Sequence, residues 1–195
     1  MKKTVGIFLF DNVEVLDFAG PFEVFSVTGE LNPSLEIEVV TIAKTLNLIT
    51  TVNGLLIQPR FSISNHPPID IFIIPGGNGS RHLLEDVELL QWMMQTYQTS
   101  NLSISICSGA RVPAALGLLN NAPFCTHHGV YADIAKIAPQ SIPQKELRYI
   151  KTNNKLYTAA GISAGIDVSF HVIEQLYGLQ RAQNTATYME YKLEL

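Results

Sequence analysis

Four short apolar runs limit what this chain can fold into. They are "VGIFLF" (residues 5–10), "LEIEVVTIA" (35–43), "IDIFIIPGG" (69–77) and "LSISIC" (102–107). Unbroken or nearly unbroken β-rich runs of this kind suit strands covered on both faces, not strands with one wet side. Helical patterns lie between and after them. The spacing predicts helices over 20–31, with Pro21 in the first turn; over 86–98, with Asp86 as N-cap; over 109–119; and over 163–178, stopped by Gly178. Strands alternating with helices imply parallel pairing through right-handed crossovers. Two antiparallel hairpins interrupt the alternation, turning near Asn53-Gly54 and at Asn153-Asn154. There is no internal repeat, low-complexity tract or linker. Residues 1–195 therefore read as one α/β domain: a three-layer sandwich with a mostly parallel central sheet and helices on both faces.

Composition narrows the function classes. Of the 195 residues, 47% are hydrophobic and 15% charged, which suits a chain with a buried sheet. The net charge is −4, and no cluster of Lys and Arg is present to neutralise phosphates, which argues against a nucleic-acid partner. No apolar run reaches the ~18–20 residues a membrane span needs. The opening "MKK" and the apolar run behind it are followed at once by Asp11, Glu14 and Asp17, so this segment reads as a first strand and not a signal peptide. Two cysteines do not make a disulfide framework, and a reducing cytoplasm is the default setting.

The chemistry concentrates where "SISICSGARVPAALGLL" turns from strand to helix. Ligand sites in parallel sheets lie beyond the carboxyl ends of strands, and Cys107 stands at such an end. The following helix N-terminus would stabilise a thiolate and lower its pKa, and Gly109 gives the turn room. Cys107 reads as a nucleophile on this pattern, or as a buried structural cysteine. Backbone N–H groups at Gly76 and Gly77, with that of Ser108, form an oxyanion hole or belong to a plain Pro-Gly-Gly turn. Asp17 or Glu14 supplies an acid beside the thiol; Asp17 could equally cap the helix after it. His127 and His128 offer an auxiliary acid or base, but adjacent histidines point in different directions and no ligand spacing supports a metal. Cys125 reads as structural, with a bond to Cys107 left open. His66, His82 and His171 stand without companions, and Glu23 reads as a solvated or interface residue.

The order of "VGIFLFDNVEVLDFAGPFEVF", "IDIFIIPGG", "SICSGARVPAALGLL", "CTHHG" and "AAGISAGIDVSFHVIEQLYG", with the closing "TATYMEYK", resembles the ThiJ/PfpI superfamily. Its core is flavodoxin-like and related to class I glutamine amidotransferases. The first and last motifs look most like the branch that holds isonitrile hydratase and the amidase-like domains of certain AraC-type regulators. The resemblance implies a reactive cysteine at Cys107 and an acid on it from the "LDFAGP" motif, Asp17, whereas the deglycase branch would favour Glu14. It implies a cysteine-dependent hydratase or hydrolase of a small neutral molecule, most concretely isonitrile hydration to an N-substituted formamide. The resemblance also implies a homodimer and a reaction without a cofactor. A cysteine-based redox or stress sensor and a non-catalytic ligand-binding domain are the alternatives. Ser108 replaces the histidine of the Cys-His peptidase members and the threonine frequent in hydratase-like members, and His128 stands where those members often carry an aromatic. The chain ends at "YKLEL", soon after the last core helix, so no C-terminal DNA-binding domain is expected.

Overall fold

In a computed structural model that describes residues 2–193, the apolar runs become the strands of a seven-stranded sheet. The chain runs β1 (Lys3–Leu9), α1 (Val15–Leu31), β2 (Ile37–Ala43), β3 (Ile49–Thr50), β4 (Leu56–Ile57), β5 (Phe61–Ser62), β6 (Ile71–Ile74) and α2 (Val87–Thr99). It continues through β7 (Leu102–Ile106), α3 (Arg111–Ala115), β8 (Pro123–Phe124), α4 (Tyr131–Ile137), β9 (Ile142–Pro143), β10 (Tyr149–Lys151), β11 (Leu156–Ala159), α5 (Ala164–Tyr177) and α6 (Leu179–Tyr188). The main sheet has the order β10-β11-β7-β6-β1-β2-β5. All of its pairings are parallel except β10–β11, the second of the hairpins read from the sequence. The first hairpin is β3–β4, outside the main sheet.

The central strands are buried as their composition requires. All of Ile71–Ile74 and all of Leu156–Ala159 are buried, and β1 is buried from Thr4 to Leu9. Helices cover both faces. On one, α1 packs against α5 and α6: the Thr28 and Thr185 hydroxyls meet at 3.0 Å, and Gly20 lies so close to Ile166 that an added Cβ would stand 2.8 Å from its Cγ1. Elsewhere Trp92 of α2 sets its ring against Phe8 and Phe72, at centroid separations of 5.4 and 5.5 Å. A smaller apolar cluster gathers under α3 and α4 around Leu119, Phe124 and Ile134.

Two helices differ from their sequence reading. The first begins at Val15, not at residue 20, so Pro21 sits inside it and Asp17 lies in its first turn instead of capping it. The helix expected over 109–119 is shorter still. A 3₁₀ turn over Cys107–Ala110 runs into only five α-helical residues, Arg111–Ala115. By contrast, Asp86 caps α2 by accepting from the Leu89 N–H at 3.1 Å, and Gly178 ends α5.

Candidate active site

The chain leaves β1, β6, β7 and β11 at the same edge of the sheet, and the turns after these strands meet. β2 lies on one side of β1 and β6 on the other, so this is where the strand order reverses, the place where parallel sheets open a crevice. From the β7 turn comes Cys107. Its φ is 54°, a left-handed conformation that costs a residue with a Cβ of order 1–3 kcal/mol and persists only where its surroundings hold it. Its N–H donates to Ala160 O at 3.0 Å, and its carbonyl accepts from Thr126 Oγ1 at 2.7 Å. Gly109 is required by closeness: a Cβ there would lie 2.4 Å from Ile74 O.

The β1 turn brings Asp17, with no exposed surface. Its Oδ2 accepts from the Gly76 N–H at 2.8 Å, while its buried Oδ1 has no conventional hydrogen-bond partner among the described residues. The Cys107 thiol is the neighbour with which this carboxyl shares side-chain hydrogen bonding and charge. Gly76 admits no side chain, since a Cβ would sit 2.5 Å from Ser108 N and 2.8 Å from Asp17 Oδ2.

These contacts redirect the expected oxyanion donors. Gly76 N–H is engaged by Asp17, and Gly77 N–H donates to Ser108 Oγ at 2.8 Å. The Ser108 hydroxyl in turn donates to Gly77 O at 3.0 Å, with Ser80 Oγ 3.2 Å away. The backbone N–H groups of Ser108 and Ile162 lie near the Cys107 sulfur and favour its charged form. Ile162, at φ 46°, was not anticipated from the sequence.

The expected lowering of the thiol pKa is overturned. Five helical residues build little macrodipole, and the sulfur is buried instead of presented to water. Burial pushes the Cys107 thiol up to about 12, the Asp17 charge adds to the rise, and the Ile162 and Ser108 N–H groups oppose it. Burial likewise raises Asp17 to about 7, against the opposing Gly76 N–H and with the Glu14 charge adding to the rise. Near neutral pH the pair therefore keeps at least one proton between acid and sulfur.

Cys107 and Ser108 face a cavity of about 260 Å³, whose wall also includes Glu14, Gly77, Arg81, Arg111, His127 and Ile162. The His127 and His128 rings lie 4.1 Å apart between centroids, tilted by 36°, and His127 Nδ1 accepts from the Gly129 N–H at 3.2 Å. Burial, then the neighbouring His128, pushes the His127 pKa down, so the ring is neutral at neutral pH. Both cysteines are free. His66, one of the histidines read as lacking a companion, accepts from Trp92 Nε1 at 3.0 Å. Among the described residues no group of three or more His, Cys, Asp or Glu side chains is placed to hold a metal ion, and no helix is long and apolar enough to cross a membrane.

The sequence reading missed Arg111. It is buried, with Nη1 2.7 Å from Ser80 Oγ and with Nε and Nη2 on Asp133 Oδ2. A signal was present: an arginine inside the small, apolar stretch "GARVPAALGLL" must either reach water or find an acid.

Comparison with known proteins adds four findings. The DJ-1/PfpI family model matches residues 3–175. An isonitrile hydratase of Pseudomonas putida is 31% identical over 191 residues, 98% of this chain and 79% of that protein. The HTH-type transcriptional regulator GbdR of Pseudomonas aeruginosa is 25% identical over 178 residues, 90% of this chain but only 47% of the regulator. Among solved structures, a THiJ/PfpI family protein from Pseudomonas syringae superposes with a TM-score of 0.87 at 23% identity, covering 100% of this chain and 77% of that one.

Proposed function

This chain belongs to the DJ-1/PfpI family, and on that premise we propose that it is a cysteine-dependent hydratase of a small molecule, most concretely of an isonitrile, which it converts to an N-substituted formamide. The observation that carries the reading is the Cys107–Asp17 pair, buried together and holding a proton near neutral pH, beside a cavity large enough for a small substrate. The similarity to an isonitrile hydratase over 98% of the chain supports the choice of substrate class.

In the proposed reaction the Asp17 carboxylate takes the thiol proton as Cys107 Sγ bonds to the terminal isonitrile carbon. Asp17 then returns that proton to the same carbon, leaving a thioimidate on the sulfur. Water adds to the thioimidate carbon, the nitrogen takes up a proton, and the C–S bond breaks to release the formamide and restore the thiol. A carboxyl with a pKa of about 7 suits both directions of transfer. The Ser108 and Ile162 N–H groups favour the sulfur as thiolate when it attacks and when it leaves. Gly76 orients Asp17 instead of the substrate, and Gly77 holds the Ser108 hydroxyl, which positions substrate or water. Glu14 and the neutral His127 are auxiliary, and the scheme uses no metal or organic cofactor.

The protein acts in this scheme as a cytoplasmic homodimer. Two free cysteines are in keeping with a reducing compartment. The exposed Leu46, Leu48, Leu55 and Leu56 in and beside the β3–β4 hairpin give a second copy an apolar surface to cover.

The test is formamide production from an aromatic isonitrile. Turnover that falls to background in Cys107→Ala supports the hydratase. The regulator similarity favours a second reading, a ligand-binding domain without turnover. Saturable binding of a small ligand with no product, unchanged in Cys107→Ala, would favour that reading instead.

A further inference from the structure

The cavity wall carries more positive charge than the chemistry above uses. Arg111 is satisfied: only 4% of its side chain is exposed, Ser80 takes one donor, and Asp133 takes two. Arg81 lines the same cavity in a different state. Its side chain is 64% exposed, and its Nη2 reaches Asp133 only at 3.3 Å, on the oxygen that Arg111 already occupies. One carboxylate thus faces two guanidinium groups, and its first claim is the buried one. The low pKa of Asp133 has the same order of causes, Arg111 before Arg81. Glu14, also in the wall, forms no ion pair with either arginine among the described residues. His127 adds no charge, because burial keeps it neutral.

We propose that Arg81 binds an anionic group on the substrate, a carboxylate or a phosphate, so that the molecule this site prefers is a small acid that also bears the reacting carbon. A guanidinium offers paired N–H donors matched to the oxygens of either group. Arg81 stands at the exposed side of the cavity, while buried Arg111, held by the half-buried Asp133, braces the wall. Glu14 would repel the anion from its own part of the wall, so the substrate enters in one orientation. This departs from the neutral substrate that the family resemblance implies, and it rests on the proposed thiol chemistry.

The test uses two reagents that differ mainly in charge, iodoacetate and iodoacetamide. The alkylation of Cys107 by each is followed in the folded protein by peptide mass spectrometry, with the urea-unfolded chain as the reference. The iodoacetate-to-iodoacetamide rate ratio is expected to be higher in the folded protein than in the unfolded one. It should fall by up to about five-fold in Arg81→Gln, the limit an exposed ion pair supports, and fall with added salt. Arg60→Gln, which removes an arginine paired with Glu38 outside the cavity wall, should keep the wild-type ratio. A folded ratio no higher than the unfolded one, or a ratio unchanged in Arg81→Gln, overturns the anion site and leaves the thiol chemistry standing. A Cys107 that resists both reagents when folded overturns the thiol chemistry and this inference with it.

Discussion

Asp17 shows what the site costs the fold. The carboxyl is fully buried and its pKa rises from 3.8 to about 7, so the native state binds its proton more tightly than the unfolded chain does. The stabilising effect of that proton is complete below the unfolded pKa, and it is lost as pH rises from about 4 through about 7. Asp17→Asn keeps an acceptor for the Gly76 N–H and removes the penalty. Its unfolding free energy should exceed the wild type's at pH 8 by a few kcal/mol, about 4 at most, and the gap should close below pH 4. Denaturant unfolding at the two pH values checks this. The same variant should lose the proposed hydration activity, and the rise of Cys107 alkylation through about pH 7 should disappear from its profile. Cys107 itself was legible because a cysteine before Ser-Gly at the end of an apolar run has few uses. The direction of its pKa was not, because desolvation depends on what folds over the sulfur. Arg111 was missed for a related reason: helical periodicity assigns charged residues to water, and its partner Asp133 lies in a distant part of the chain.

At the scale of elements, patterns that depend on local chemistry came through. Both hairpins turn where Asn-Gly and Asn-Asn stand, and Asp86 caps its helix. What failed was the extent of helices governed by tertiary contact. Proline at the second position of "GPFEVF" looked like a start, yet α1 begins six residues earlier, because "VLDF" packs against the site and the core. The helix after Cys107 was expected to run to residue 119 and stops at Ala115, where the chain turns through Gly117 at φ 75°. The β3–β4 hairpin gives this scale its prediction. Its leucines are 51–60% exposed, an unfavourable surface for an isolated chain. The proposed homodimer should dissociate to monomer in sedimentation velocity when Leu46, Leu48, Leu55 and Leu56 are replaced by serine.

Across the whole molecule, the parallel sheet orders stability from the middle outward. β1, β6 and β7 are buried and flanked on both sides, whereas β5 pairs through Ile42–Phe61 and Ala43–Ser62 alone. Native-state hydrogen exchange should therefore be slowest in β1, β6 and β7 and fastest in β5 and the β3–β4 hairpin. Uniform protection across the sheet would contradict this gradient. The turns that hold the sulfur lie between Asp17 and Ile162, so they span most of the chain. A ribosome must deliver nearly the entire polypeptide before Ile162 can dock. Until then Cys107 is an ordinary thiol on a tether, open to any electrophile and without an acid to share its proton. A thiol-directed reagent that labels half-made copies faster than finished protein would mark them out in a living cell.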